Sequence, residues 1–219
     1  MRSYAIIGLG RFGQCMLETL VRKRLRVVVV DASEAKVQYA RDLATGAVKA
    51  DALNFEVLQE VLPDGLDGAI VDLGDEMERS ILVTNYLHKL KVPQIIVEAV
   101  NPQHAEILEI VGATRIVYPE QEAAERLAGL LAGRGTLDYF AVTDAFSVVE
   151  IAVPRDWAGK TLAELDLRRT QRVNVVAQRK PAKTEEDERW ELASPDYRFD
   201  RDDFVLVAGD AAHLQRIQQ

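Results

Sequence analysis

The feature that most constrains this chain is a glycine-rich segment close to its start. Tyr4–Ile7 is a short apolar run typical of a buried strand, and the segment GLGRFG at residues 8–13 separates it from a helical pattern over residues 14–24. In this strand–turn–helix context the first glycine permits a tight turn, the second lets the backbone approach a phosphate, and the third lets helix and strand pack closely. The helix N-terminus also offers N–H groups and a partial positive charge to an anion. We therefore predict a Rossmann-type nucleotide site with its phosphate cradle at Gly8, Gly10 and Gly13.

Asp31 is the predicted ribose acceptor of that site. It follows a predicted strand over 26–30 whose last four residues are valines, which fits a parallel strand covered on both faces. A carboxylate at the tip of this second strand accepts both ribose hydroxyls, and it repels a 2′-phosphate, which disfavours NADP. We expect Ala32 and Ser33 to border the nucleotide, and Ser33 also to be the N-cap of the next helix.

Strand and helix patterns alternate over roughly the first 130 residues, which is typical of an α/β, doubly wound parallel sheet. After Gly135 the pattern changes to a small α+β module, with strands predicted over 146–153, 173–178, 189–192 and 203–207 and a last helix over 211–217. We predict a nucleotide-binding domain over residues 1–134 and a C-terminal domain over 135–219, divided at Gly133 and Gly135. A charged hairpin loop is expected over 180–189.

Charge and hydropathy narrow the classes of partner. The formal net charge of −8 argues against a general nucleic-acid binder, which needs a basic face. No apolar run approaches the roughly 18 residues that span a bilayer, and the sequence enters a strand pattern without a signal peptide. The single cysteine, Cys15, excludes an internal disulfide and fits a reducing compartment. We expect a cytoplasmic protein that serves a membrane process only by binding another protein.

The residues needed for catalysis are not recognisable. A dehydrogenase needs a proton donor and a substrate pocket beside its nicotinamide, but the sequence has no Tyr-x-x-x-Lys pair, no Walker lysine and no Cys/His cluster for zinc. We expect His88, His104 and His213 at the surface or at helix ends, and Cys15 as a small core residue. These features favour a binding module, and the alternative is an NAD-dependent oxidoreductase with an unidentified substrate.

Further candidate residues have two interpretations each. Arg11 could contact a terminal phosphate bidentately, or be a surface arginine. Asp51, with Ala52, could border the adenine pocket, or Asp51 could cap a helix. Gly74 follows the fourth predicted strand at the edge where ligands bind, or it is a plain turn glycine.

The whole chain resembles the cytosolic RCK (KTN plus TrkA-C) regulatory subunits of Trk/Ktr-type bacterial potassium uptake systems. The resembling segments are residues 5–13, Asp31, 49–52, 112–120, 159–168 and 203–209. The resemblance implies a non-enzymatic gating ring, in which N-terminal domains dimerise and assemble into an octamer beneath a membrane potassium-translocating subunit. It implies that ATP and ADP compete for the Rossmann site, with NAD(H) bound in some members.

The resemblance also implies roles for single residues. Phosphates would be held by Gly8, Gly10, Arg11, Phe12 and Gly13. Arg11 would sense the terminal phosphate, and in one arrangement it would do so across a subunit boundary. Glu120 would help to hold a divalent cation, although an acid stabilised by a helix N-terminus is the alternative.

Two further expectations follow from the resemblance. Glu98 stands where related sequences often carry a basic residue facing the nucleotide. Its carboxylate would disfavour a third phosphate unless a cation bridges the carboxylate and that phosphate. Some members bind cyclic di-AMP between paired C-terminal domains, and the matching pocket would lie at Leu167, Arg168, Val173 and Asn174.

Overall fold

The computed structural model describes residues 2–132, 136–143, 145–181 and 189–217. The chain divides into two compact units, Met1–Pro119 and Glu120–Gln219, each with its own sheet and core. The predicted boundary glycines, Gly133 and Gly135, lie outside the described residues, so the division at residues 134 and 135 stays a prediction. Most of the predicted charged loop, residues 182–188, also lies outside them.

The first unit is a six-stranded parallel sheet with the strand order β3-β2-β1-β4-β5-β6. Its strands are β1 (Ser3–Ile7), β2 (Arg26–Asp31), β3 (Gly46–Lys49), β4 (Gly68–Val71), β5 (Ile95–Glu98) and β6 (Arg115–Val117). The helices between them are α1 (Arg11–Arg22), α2 (Glu34–Arg41), α3 (Phe55–Val61), α4 (Met77–Lys89) and α5 (Pro102–Ile110). This is the order of a doubly wound Rossmann sheet, as predicted.

The central strands are nearly continuous apolar runs because helices cover the sheet on both faces. Every residue of β4 is buried, and so are the last four of β1. Side chains cap the starts of α3 and α5: the Asn54 side chain accepts the N–H groups of Glu56 and Val57, and the Asn101 side chain accepts that of His104. These caps satisfy backbone N–H groups in the first turns of the two helices.

The second unit contains a five-stranded antiparallel sheet with the order β10-β9-β11-β8-β7. Its strands are β7 (Thr136–Ala141), β8 (Phe146–Ala152), β9 (Val173–Arg179), β10 (Glu191–Leu192) and β11 (Phe204–Asp210), and its helices include α7 (Leu162–Leu165), α8 (Leu167–Thr170) and α9 (Ala211–Ile217). The helix α6 (Pro119–Ala132) begins at the last residue of the first unit. Trp157 and Phe199 are fully buried in the second core. The predicted α+β module is confirmed, but β7 was not predicted.

Within the described residues, no helix is both long enough and apolar enough to cross a bilayer.

Candidate functional site

Three neighbouring strands of the parallel sheet end side by side. Ile7 of β1 is in register with Val30 of β2 and with Val71 of β4. The residues that follow them, at the carboxyl edge where such sheets bind ligands, surround a cleft of about 260 Å³. The cleft is lined by Gly8, Gly10, Val30, Asp31, Ala32, Ser33, Lys36, Ala50, Ala52, Asp72, Leu73, Gly74, Glu76 and Arg79.

The Asp31 carboxylate is held in place at this cleft by two backbone groups. Leu9 N–H donates to Oδ2 and Ser33 N–H donates to Oδ1, each at 2.7 Å. Lys36 Nζ lies 3.7 Å from Oδ2. A carboxylate oxygen can accept more than one hydrogen bond, so both oxygens retain capacity for ligand hydroxyls. This geometry suits the predicted ribose acceptor, and the role itself stays a prediction.

Ser33 lies at the N-cap position of α2, but its side chain makes no capping hydrogen bond. Its backbone N–H instead donates to Asp31 Oδ1, so Ser33 both precedes α2 and helps to fix the carboxylate of the cleft.

Asp72 is a site residue that the sequence analysis missed. It follows β4 directly, is 2% exposed, and accepts the Gly13 N–H at 2.7 Å and the Gly74 N–H at 3.3 Å. Its carboxylate therefore lies against the first turn of α1, beside the glycine-rich loop. The signal for it was an acid directly after a buried strand, but its proximity to the loop depends on β1 and β4 being neighbours.

The first two glycines of the loop are required by Asp72 itself. Gly8 has φ +85°, and a Cβ there would lie 2.0 Å from the Asp72 carbonyl oxygen. A Cβ on Gly10 would lie 2.2 Å from Asp72 Oδ1. Both contacts are far shorter than van der Waals separation. The loop thus needs glycine for a reason that is independent of any phosphate, which sequence reasoning did not supply.

The start of α1 retains donors for an anion. Within the described residues, no acceptor meets the backbone N–H of Arg11 or of Phe12, as expected for the first turn of a helix. The Phe12 side chain packs against an apolar cluster, so it can offer a phosphate only its backbone. Arg11 is exposed and is not among the residues that line the cleft.

Two cations line the cleft, and sequence analysis named neither. Lys36 lies beside Asp31. Arg79 Nη1 donates to Glu76 Oε2 at 2.7 Å, and its Nη2 lies 3.7 Å from Asp51 Oδ1. Arg79 Nε is buried and has no hydrogen-bond partner among the described residues. The cleft therefore combines acidic and basic groups.

Four of the other predicted nucleotide contacts line the cleft, namely Ala32, Ser33, Ala52 and Gly74. Asp51 and Glu98 do not. Asp51 is exposed, and its carboxylate accepts the N–H of Leu53 at 3.1 Å, so it stabilises a turn; Asn54, not Asp51, caps α3. Glu98 is the half-buried last residue of β5, in register with Val117.

Glu120, the predicted cation ligand, is exposed in the first turn of α6. Among the described residues, no group of three or more His, Cys, Asp or Glu side chains could hold a metal ion.

His104 lies at a helix end, as expected, in the first turn of α5, but it is buried, with 2% exposure. Val100 N–H donates to Nδ1 at 3.2 Å, so Nε2 carries the proton and donates to Ser80 Oγ at 2.8 Å. The Ser80 hydroxyl then donates to the Met77 carbonyl. Burial lowers the pKa of His104. This neutral histidine joins α4 to α5, and its ring nitrogens are both used.

Cys15 also differs from expectation. It was predicted to be a small core residue, but it is exposed on α1. The buried face of that helix carries Gly13 and Leu17.

The second unit has a cleft of about 540 Å³ that includes all four residues predicted for a second ligand. Arg168 Nε donates to Asn174 Oδ1 at 2.8 Å, which fixes the guanidinium against the side chain of β9. Leu167 and Val173 are 3% and 2% exposed and belong chiefly to the core. A ligand for this cleft stays a prediction.

Comparison with known proteins shows the family. Residues 4–119 match the TrkA-N domain and residues 147–219 match the TrkA-C domain. Ktr system potassium uptake protein C of Bacillus subtilis is 31% identical over 220 aligned positions, covering 100% of this chain and 96% of that protein. Ktr system potassium uptake protein A of the same organism is 33% identical over 176 residues, covering 80% of this chain and 79% of that protein.

Solved structures show the same fold at lower identity. The GsuK RCK domain superposes with a TM-score of 0.65 at 17% identity, covering 99% of this chain and 47% of that one. The GsuK channel bound to NAD gives 0.62 at 16%, covering 97% of this chain and 38% of that one. With both family domains matched and a relative similar over 96% of its length, the chain belongs to the TrkA-N/TrkA-C family of potassium-uptake regulatory proteins.

Proposed function

We propose that this chain is the cytoplasmic, nucleotide-sensing regulatory subunit of a bacterial potassium uptake system. The full-length similarity to a Ktr system potassium uptake protein supports this function. On this proposal the chain forms dimers that assemble into an octameric ring, and the ring lies at the inner face of the membrane by binding a potassium-translocating subunit.

The proposal rests on two features beside the glycine-rich loop: the oriented carboxylate of Asp31, and backbone N–H groups at the start of α1 that have no acceptor among the described residues. Asp31 is held by the N–H groups of Leu9 and Ser33, so its remaining acceptor capacity faces a ligand without further ordering. At the start of α1, the N–H groups of Arg11 and Phe12 have no acceptor in the described part of the chain. A ribose acceptor and an anion-binding helix end together fit a nucleotide. We propose ATP and ADP as ligands, with NAD(H) as the alternative.

The Asp72 carboxylate opposes phosphate binding at this loop unless its charge is offset. A phosphate that approaches the first turn of α1 comes near a buried acid, and like charges repel most strongly where water is excluded. A divalent cation bound with the nucleotide would offset that repulsion, with Glu120 as the proposed ligand from the protein. Lys36 and Arg79, which line the cleft, are the cations of this chain placed to do the same.

The proposed activity is a shift between two conformations of the ring, with no bond made or broken. A ligand shifts such an equilibrium only by its difference in affinity for the two states. Since ATP and ADP differ by one phosphoryl group, we propose that Arg11 or a bridging cation contacts that group. A coupling of about 1–3 kcal/mol per site is typical, so several sites in one ring give a steep response. A second input, cyclic di-AMP, is proposed for the cleft at Arg168 and Asn174.

Calorimetric titration of the full-length chain with ATP, ADP and NADH, with and without Mg²⁺, tests the nucleotide site. We expect binding of at least one adenine nucleotide, and about tenfold weaker binding or more for Asp31→Ala, which loses charge-assisted hydrogen bonds to ribose. Asp64→Ala is the matched control, since Asp64 is exposed and outside the cleft. Absence of binding by all three ligands, or an equal loss in both variants, contradicts the proposal.

Purification of the chain from its own cells, followed by mass spectrometry, tests the partner. We expect a membrane potassium-translocating protein to co-purify, and its recovery to change when ADP replaces ATP in the buffer. Recovery of the chain without any integral membrane protein under both conditions contradicts a regulatory subunit.

A further inference from the structure

The second unit carries a further cleft, of about 520 Å³, whose lining is strongly basic. Its walls are Arg169, Thr170, Gln171, Arg172, His213, Arg216 and Ile217. Three of these seven residues are arginines, although the chain as a whole has a formal net charge of −8. None of them lines the 540 Å³ cleft at Arg168 and Asn174, so the two clefts are separate.

Two elements of the unit bring these cations together. Arg169 lies in α8, and Arg172 lies in the turn that connects α8 to β9, with a φ of +58°. His213 and Arg216 are three residues apart on α9 and therefore share one face of that helix. The neighbouring Leu214 is 3% exposed and anchors α9 in the core. The basic face is thus attached to a packed framework.

The charges of this cleft are only partly neutralised within the chain. Arg169 Nε lies 2.9 Å from Asp166 Oδ2, and His213 Nδ1 lies 3.6 Å from Asp210 Oδ1. Among the described residues, no carboxylate forms an ion pair with Arg172 or Arg216. Two guanidinium groups therefore remain for an external anion.

Two lining residues also hold buried polar atoms that lack a hydrogen-bond partner in the described part of the chain. They are Gln171 Oε1 and His213 Nδ1. Buried polar groups in native proteins are nearly always satisfied by protein, water or ligand. The Gln171 amide presents either its oxygen or its N–H groups on rotation, so both residues can donate to an oxyanion.

The chemistry of the walls selects the ligand class. Guanidinium groups bind phosphate oxygens bidentately, and several arginines around one cleft favour an anion with more than one phosphoryl group. The lining contains no Phe, Tyr or Trp, and Ile217 is its one aliphatic residue, so the cleft offers little apolar surface to a nucleobase. We propose that this cleft binds a small multiply phosphorylated anion, such as a diphosphate or a sugar bisphosphate, through Arg172 and Arg216.

Pyrophosphate is the probe that tests this site. The full-length wild type and the double variant Arg172→Gln/Arg216→Gln are titrated by calorimetry at low ionic strength. Any pyrophosphate bound elsewhere on the chain contributes equally to both proteins, so their difference isolates this cleft. We expect the double variant to lose a binding event of the wild type, or to bind about tenfold more weakly. Inorganic phosphate should bind the wild type more weakly than pyrophosphate, because it engages fewer guanidinium groups.

The matched control is Arg155→Gln/Arg201→Gln, which removes the same charge from exposed positions of the same unit outside the cleft. It should bind pyrophosphate like the wild type. All four arginines are exposed, so thermal melts should show that each variant folds. Absence of pyrophosphate binding by the wild type overturns the proposal. So does unchanged binding by the cleft variant, or an equal loss in the control.

Discussion

The Gly13 N–H donates a hydrogen bond of 2.7 Å to Asp72 Oδ2, so an acid of the chain itself faces the positive end of α1. A carboxylate at this position is stabilised by the helix dipole. Without this carboxylate, the positive end of the helix dipole would be available to a ligand phosphate. Nucleotide binding at this loop is therefore expected to depend on the charge of Asp72.

Asp72→Asn should strengthen binding of phosphorylated nucleotides in the absence of divalent cations. The amide oxygen can still accept the Gly13 N–H, while the negative charge near the phosphates is removed. Because repulsion rises with ligand charge, the gain should increase from AMP to ADP to ATP. Calorimetry without Mg²⁺ measures it. Asp75→Asn, at a neighbouring exposed carboxylate, should change little, and equal or weaker affinity of Asp72→Asn for all three ligands would refute this role.

Gly10→Ala should destabilise the fold more than Gly74→Ala. A Cβ on Gly10 falls 2.2 Å from the Asp72 carboxylate, and such overpacking costs about 1–3 kcal/mol or more. Gly74 has φ +62° but open space around it, so alanine there costs only about 1 kcal/mol. Urea unfolding gives both free energies. If the contact is the cause, Asp72→Ala should offset part of the Gly10→Ala loss in the double variant; strictly additive losses would exclude it.

Arg11→Ala should weaken ATP binding by about tenfold while leaving adenosine binding unchanged. The reason is that Arg11, exposed at the first position of α1, is proposed to contact only the terminal phosphate. Titrations with both ligands measure the effect. Arg22→Ala, at the other end of the same helix, removes the same charge and serves as the control. Equal losses for ATP and adenosine would remove the sensing role from Arg11.

His104 should make the stability of the first unit depend on pH. Burial lowers the pKa of His104 below its ordinary value of 6.5, so the unfolded chain takes up a proton at a higher pH than the folded chain. Its contribution is fully present above pH 6.5 and is lost as the pH falls from 6.5 toward the lower pKa of the folded state.

Urea midpoints between about pH 8 and about pH 5 measure this effect. His104→Asn should flatten the acid side of the profile, because it removes the titrating ring. His88→Asn, at an exposed histidine, is the control substitution. A wild-type profile that the His104 substitution does not alter would show that this group makes no contribution.

Arg168→Ala should abolish cyclic di-AMP binding if the 540 Å³ cleft is the proposed second input. Arg168 is held by Asn174 at 2.8 Å and is exposed, so the substitution removes an oriented phosphate donor without opening the core. Equilibrium dialysis with the labelled dinucleotide measures it, and Arg155→Ala is the control. Retained binding in Arg168→Ala would place the dinucleotide elsewhere.

The sequence predicts the Rossmann sheet well because buried parallel strands appear as apolar runs between amphipathic helices. It misses β7, an edge strand of the second sheet, where Thr136 and Asp138 interrupt the apolar pattern. Cys15 was misplaced because the buried face of α1 is defined by Gly13 and Leu17, and Cys15 lies on the other side.

The candidate site was predicted where the motif is local and missed where it depends on strand order. The loop and Asp31 are linked by the known βαβ unit, so they could be placed from sequence. Asp72 meets the loop only because β4 lies next to β1, and Arg79 lines the cleft only because α4 starts at the same edge. Neither juxtaposition is encoded in any short segment.

The interlock between Asp72 and the loop has a consequence for how such sequences are interpreted. With the Asp72 main chain against Gly8 and the Asp72 carboxylate against Gly10, alanine is too large at both positions whether or not any ligand ever enters. A descendant that abandoned nucleotide sensing would still have to retain both residues to keep its first strand, helix and fourth strand together. In such chains the glycine motif reflects a steric requirement of the fold and is not by itself a sign of nucleotide binding. The residue that follows β4, here Asp72, shows whether that requirement is present.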